Sequence, residues 1–406
     1  MAEVRTITAA EVPAHIVAHI GGFYEVVREG AVAYYTPLVQ PDRTWDAFDG
    51  ADIVGTADSF ATQLTVPGPV TLPVAAVSGV TVVATHRRQG LLRQLMAAQL
   101  ASITEPLAVL IAAEAPIYGR FGYGPAIETV DLHIDARRAG FVDPPAPGRV
   151  RRCTPAELVA DAAAIHTRWC GGQAGELARR VPRWWDRHYL DRPPGWTPDP
   201  GTEFHVVTRD AGGVADGYAT YRVLVAWARR SPDCTVFVDE LVATSDDAYR
   251  ALWHHCTTID WVTRVEAGRR PVVEALPSLL VDRRAVSQET RADFVWARLL
   301  DVVTCLGARR YRVADRMVLE VTDDFGGYAA GRYVIEGGAD GAVCSPTSEA
   351  PNLTVTVADL SAAYLGGTAL RLAAVAGRVG EHRPGAVAAF DRMFLTDVLP
   401  FCSTNF

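Results

Sequence analysis

Apolar and polar positions fall into two rhythms along the chain, one of period two and one of helical period. The run "PLAVLIAAE" from Pro106 is apolar at nearly every position, which predicts a short strand buried on both faces. Ahead of it, "VTLPVAAVSGVTVVAT" from Val70 reads as strands interrupted by a glycine. Between the two, "HRRQGLLRQLMAAQLASI" from His86 carries Leu91, Leu92, Leu95, Met96 and Leu100 at helical spacing. A further helical segment is predicted in "VPAHIVAHIGGFYEVV" from Val12. Strand, helix, strand in that order is an α/β unit.

The middle third repeats the plan. "EFHVVTRD", "GVADGYATYRV" and "CTVFVDELVAT" read as strands, and "SDDAYRALWHHCTTIDWV" as a helix. At the strand-to-helix junction "LVATSDDAY" from Leu241 echoes "VVATHRRQG" from Val82, with Asp246-Asp247 in place of Arg87-Arg88 and Tyr249 in place of Gly90. The echo is a duplicated unit or a chance tetrapeptide match. In the last third, "RYRVADRMVLEVTDD", "GRYVIEGG" and "NLTVTVADLSAAYLGG" alternate like strands of an antiparallel sheet, with helices before and after, which predicts a separate α+β domain.

Two composition shifts suggest boundaries. "FVDPPAPGRV" (Phe141 to Val150) follows the strand-like "ETVDLHIDARR", and the polar "DRRAVSQETRADF" (Asp282 to Phe294) precedes a new amphipathic run, "VWARLLDVVTCL". "RPPGWTPDPGTEF" from Arg192 reads as an internal loop. Residues 1–145, 146–289 and 290–406 are the expected domains, in keeping with a length of 406.

Composition narrows the function. The net charge of −8 argues against nucleic acid as a bulk partner. All 39 basic residues are Arg, so no lysine can act as base or Schiff-base former. Seven cysteines stand singly with no CxxC, which predicts reduced thiols and no zinc site. With no signal-peptide layout at the N-terminus and no apolar run of spanning length, the expected location is the cytoplasm, with no membrane partner.

The Arg-Arg-Gln-Gly turn is the first candidate for chemistry. First-turn N–H groups of a helix lack intrahelical acceptors and sit at the positive end of its dipole. Gly90 removes a side chain there, so a phosphate can approach the backbone, and Arg87 and Arg88 add charge. In the second copy Asp246 and Asp247 would repel the same ligand.

The layout Val-x-Val-x-x-x-x-Arg-Arg-x-Gly resembles the cofactor motif of the GCN5-related N-acetyltransferases. Together with "IYGRFGYGPA" from Ile117 and a terminal Phe after a sterol-carrier-like domain, the whole chain resembles the Eis (enhanced intracellular survival) acetyltransferases. That resemblance implies tandem acetyltransferase folds, an α/β (α+β) class overall, with only the first copy binding acetyl-CoA, followed by the sterol-carrier-like domain. It assigns Val80, Thr81 and Val82 to the pantetheine and acetyl end, and Arg87, Arg88, Gln89, Gly90, Leu91, Leu92 and Arg93 to the pyrophosphate. Ala113 and Glu114 come next, on the neighbouring strand. Tyr118 becomes the general acid and the Phe406 carboxylate the base, with no metal. The plain alternatives are a core aromatic beside Phe121 and Tyr123, and a frayed terminus. Ile111 and Asn405 stand where relatives can carry a His and an acid, and Phe23, Tyr24 and Glu25 on the first helical segment could replace them as substrate-side groups. The implied substrate is a polyamine of the aminoglycoside type, and the implied assembly a homohexamer. Acetylation of protein lysine or another small amine is the alternative within the same chemistry. A different class altogether is an apolar-ligand carrier with a vestigial transferase domain.

Overall fold

The computed structural model describes residues 2–179, 184–191 and 201–406. These divide into two compact units, one of residues 1–127 with 293–406 and one of residues 128–292. The first third and the last third of the chain therefore fold together.

The first unit holds a sheet in the order Glu3–Thr6, Thr44–Asp49, Asp52–Val66, Val70–Val82, Leu107–Ile111, Val286–Leu299. Every pair is antiparallel except Val70–Val82 with Leu107–Ile111, the two strands joined through the helix Leu91–Ser102. The predicted strand at Leu107 is buried as the apolar run requires. Successive strand residues serve opposite faces. Ala47 packs with Leu91 and Leu95, whereas Phe48 packs with Val12 and Ile16 of the helix Val12–Gly22.

Several boundaries differ from the sequence-based expectation. Val70–Val82 is one strand, because Gly79 makes a bulge and does not interrupt it. The "VWARL" part of the run after Phe294 belongs to the strand Val286–Leu299, and only Val302–Ala308 is helical. That strand also runs through the polar stretch from Asp282. Its first half is exposed, so polarity there marks an uncovered strand.

Residues 302–406 add a five-stranded sheet, Gly341–Pro346, Gly331–Gly338, Asp315–Thr322, Leu353–Thr356, Gly380–Glu381. It is mixed and not purely antiparallel, since Asp315–Thr322 pairs parallel with Leu353–Thr356. "NLTVTVADLSAAYLGG" is half strand and half helix, because the Thr356 side chain caps Val357–Ala363 by accepting from the Asp359 N–H at 3.1 Å.

The motif Ile117–Ala126 is where these two parts of the unit meet. Arg298 is fully buried, paired with Asp323 at 3.1 Å, and donates to the carbonyls of Phe121 and Phe325. A Cβ on Gly122 would collide with the Arg298 guanidinium, and one on Gly124 would stand 2.0 Å from the Ala358 carbonyl oxygen. These glycines therefore serve close packing. Beside them lies a cleft of about 440 Å³, lined by Gly122, Tyr123, Trp296, Asp323, Ala362 and Leu370 among others.

The strands of the second unit lie in the order Val150–Cys153, Thr202–Arg209, Ala215–Leu224, Cys234–Ala243, Val262–Pro271 and the end of Gly124–Asp135. The three middle-third strands form as predicted, while the helix stops at Thr257 and Val262 already begins a strand. The predicted loop from Arg192 lies, as far as Pro200, outside the described residues. All seven cysteines are free thiols. Among the described residues no helix is long and apolar enough to cross a membrane.

Candidate functional site

The site grows from the way two parallel strands part. The ladder between Val70–Val82 and Leu107–Ile111 runs from Val74 opposite Leu107 to Val77 opposite Leu110 and stops, while the first strand continues to Val82. Just past that point Gly79 adopts φ +62 and opens a bulge, with the stretch from Ser78 to Thr81 one residue longer than its partner from Asp58 to Thr56. A bulge bends the strand and re-aims its later residues. Val80, Thr81 and Val82 thus lie on a strand end that has left its parallel neighbour.

The expected cradle comes directly after, with a different boundary from the one predicted. The helix starts at Leu91, not at His86. Residues 84–86 form a 3-10 turn, and Arg88 and Gly90 take the left-handed region at φ +62 and +83. The reason is local: with Gly90 left-handed at the N-cap, the chain cannot be helical before Leu91. Arg87 to Gly90 are exposed or nearly so, and a Cβ on Gly90 would meet nothing within 4 Å. Gly90 has no capping side chain, so the first-turn N–H groups of Leu91, Leu92 and Arg93 face open space. Free amides, an open approach and two nearby guanidinium groups suit a diphosphate.

The second copy closes the same place. There the strand ends at Ala243 and the helix starts at Asp246, so the residues that form a loop in the first copy form the first helical turn in the second. Ser245 caps that helix, its Oγ accepting from the Ala248 N–H at 3.1 Å, and Tyr249 donates to Glu274. The amide is already satisfied and two carboxylates stand at the helix mouth. A capped amide and two carboxylates suit a diphosphate less well than the open turn of the first copy.

Tyr118 is buried in one cluster with Val77, Met96 and Phe121, against which Val80, Leu92 and Ala112 also pack. The structure so brings the expected acid beside the strand end and the cradle helix. Burial, then the Glu114 carboxylate, pushes its hydroxyl above the ordinary tyrosine value. Ala113 and Glu114 are not on the next strand, which ends at Ile111; they occupy the turn leading into the helix Ala115–Tyr118.

The substrate-side candidates scatter more. The first helix ends at Gly22, so Phe23, Tyr24 and Glu25 are not helical: Phe23 is the C-cap, Tyr24 turns left-handed at φ +62, and all three are exposed. Tyr24 lies under the Arg87 guanidinium at 6.0 Å, which ties this turn to the cradle. Ile111 is half-buried at its strand end and Asn405 is exposed. Phe406 packs its ring edge-on against Phe60 at 5.9 Å, and Phe401, Cys402 and Thr404 are buried. The C-terminal segment is docked and not frayed.

One constellation escaped the sequence reading. His15 and His19 lie one turn apart on the first helix. The His15 Nδ1 is 2.9 Å from Asp46, its Nε2 is 3.7 Å from Asp58, and the His19 Nδ1 is 3.4 Å from the same Asp58 oxygen. Burial would lower the His15 imidazole, but Asp46 and Asp58 outweigh it and push it up to about 9. Burial would raise the Asp58 carboxyl, yet the two imidazoles bring it down to about 2. The available signal was His-x-x-x-His on an apolar helix. Its carboxylate partners lie on other strands, well separated in sequence, and form no visible motif.

Comparison with known proteins agrees with this geometry. Residues 3–126 and 176–299 match family profiles described as acetyltransferase (GNAT) domain, and residues 302–403 match one described as sterol carrier protein domain. An uncharacterised N-acetyltransferase of Streptomyces avermitilis is 40% identical over 100% of this chain and 98% of its own. N-acetyltransferase Eis of Mycobacterium tuberculosis is 35% identical over 91% of this chain and 90% of its own. The crystal structure of Eis1 from Mycobacterium abscessus superposes with a TM-score of 0.86 at 34% identity, covering 100% of both chains. A strand end parted from its neighbour, an open amide cradle and full-length relatives of this kind lead to one conclusion: the chain belongs to the Eis family of GNAT-fold N-acetyltransferases and takes acetyl-CoA as cosubstrate.

Proposed function

We propose that the chain acetylates amines of a small polyamine of the aminoglycoside class, by direct attack of a neutral amine on the acetyl thioester. The observation that carries this reading is the open left-handed turn Arg87–Gly90 leading into Leu91 beside the strand end Val80–Val82. In it the pyrophosphate rests on the amides of Leu91, Leu92 and Arg93 with Arg87, Arg88 and Gln89 around it, and backbone N–H groups of Val80 to Val82 polarise the thioester carbonyl. Acetyl-CoA supplies the activated acyl group and its thiolate leaves. Residues 1–145 carry the chemistry, 146–289 are a copy that has lost the cradle, and 290–406 deliver the C-terminal segment.

Tyr118 meets the departing thiolate as a hydrogen-bond donor. A tyrosine already near 10, raised further by burial, stays protonated throughout the working range, and full proton transfer to a thiol near 8.5 is uphill by roughly 2 kcal/mol or more. The Phe406 carboxylate takes the amine proton through solvent, since a carboxyl near 3.5 is a weak base by itself. An alkylamine near 10.4 is only about one part in a thousand neutral at pH 7.4, so this step limits the rate at low pH. The exposed Glu25 carboxylate and the net charge of −8 favour a polycation as acceptor.

Thiol release from acetyl-CoA with a panel of aminoglycosides, simple polyamines and lysine peptides tests the reading. Multiple acetylations of aminoglycosides support it, and turnover with lysine peptides alone replaces it by the protein-lysine alternative. Tyr118→Phe should lower kcat by about 10²-fold or more while CoA affinity is kept. A few residues added after Phe406 should also depress kcat, and an unimpaired extended enzyme removes the carboxylate from the mechanism. The family resemblance extends to a homohexamer, which light scattering checks directly.

A further inference from the structure

We propose that His15, His19 and Asp58 form a site for a divalent transition metal of the zinc class, set against the bulge that precedes the acetyl-transfer strand end. One ligand atom from each of the three residues lies within 4.8 Å of the others. The two separations that involve the Asp58 Oδ2, 3.7 Å to His15 Nε2 and 3.4 Å to His19 Nδ1, are too long for good hydrogen bonds. They are close to the spacing of about 3.3 Å between ligands that share a tetrahedral metal with bonds of about 2.0 Å. Two His at i and i+4 present their rings on one helix face, and the carboxylate comes from the strand beneath.

The surroundings fit a metal ligand set. His15 points its other nitrogen, Nδ1, at the fully buried Asp46 at 2.9 Å, which fixes the tautomer and aims Nε2 at the cluster. Metal-bound histidines nearly always make such a bond to a carboxylate or carbonyl. His19 is held by the Phe23 ring at 5.4 Å. Gly79 permits the arrangement: a Cβ there would stand 2.3 Å from the Asp58 Oδ2 and 2.6 Å from the His19 Nδ1, so any other residue at the bulge would push two of the three ligand atoms aside. Three protein ligands, two imidazoles and a carboxylate, suit zinc and leave a fourth position for water or an amine nitrogen. The site stands on these distances and does not depend on which acceptor the enzyme uses.

The test uses untagged full-length protein, stripped with a chelator and titrated with Co(II). Ligand-field bands in the visible that saturate at one equivalent per chain, and bleach on adding Zn(II), are expected. His19→Gln and Asp58→Asn should each weaken Co(II) binding by about tenfold or more, with circular dichroism confirming that both fold. His133→Ala and His382→Ala, which change imidazoles elsewhere, should bind as the parent does. Folded parent protein with no saturable Co(II) uptake overturns the site and leaves a metal-free network of ion pairs. Uptake that both folded ligand variants retain overturns the assignment of these residues.

Discussion

Two single residues carry opposite kinds of weight. In the proposed mechanism Tyr118 works by staying protonated: its hydroxyl is pushed above the ordinary value, so its charged form is disfavoured and the donor persists as pH rises. The kcat profile of the parent should show no alkaline decline from this group below about pH 10, and a decline centred near pH 8 that vanishes in Tyr118→Phe would contradict the shift. Arg298 works by holding packing. It has no exposure, and Asp323, its partner, also accepts from the Phe325 and Ala329 N–H groups. Arg298→Met leaves that carboxylate buried without its cation, which costs about 3–5 kcal/mol. Urea denaturation should show a loss of that size, and a loss below about 1 kcal/mol would mean the pair is dispensable. The role of Tyr118 was legible only through the family resemblance, and that of Arg298 not at all. The partners of Arg298 come from segments far apart in the chain, and a tyrosine beside a glycine reads equally well as core.

Among the elements, the strand–turn–helix junction is where the two copies differ most. Its existence was legible in both copies, because a branched apolar run followed by helical spacing has few other readings. The length of the turn was not. His86 to Gly90 has no Ser, Asp or Asn N-cap to mark a start, and the left-handed Arg88 carries no glycine to betray it. In the second copy Ser245 does mark the start, and the helix begins immediately after it. Gly90→Glu should weaken CoA binding by about tenfold or more through charge repulsion and lost access, while Gly90→Ala, with only its left-handed strain of about 1–2 kcal/mol, loses less. Equal CoA affinity in parent and Gly90→Glu would remove the cradle. The motif Ile117–Ala126, which carried the family resemblance, is at Gly122 and Gly124 a packing device. Gly124→Ala must push against the Ala358 carbonyl and should cost about 1–3 kcal/mol in thermal unfolding.

At the scale of the molecule, the first and last thirds of the chain fold as one unit, which is the condition for the terminal residue to act where the proposal puts it. Within that unit the Phe406 ring lies edge-on against Phe60, whose strand partner is Ala76. The sequence carried the class of each third but not this pairing, since the strand Val286–Leu299 that joins them was hidden under exposed polar residues in its first half. The central claim is that one copy of the fold holds the nucleotide and the other has filled its own cradle. Calorimetric titration of the full chain with CoA tests it most directly. One CoA per chain and loss of that binding in Gly90→Glu are expected; two CoA per chain, or one that survives the substitution unchanged, would contradict a single cradle.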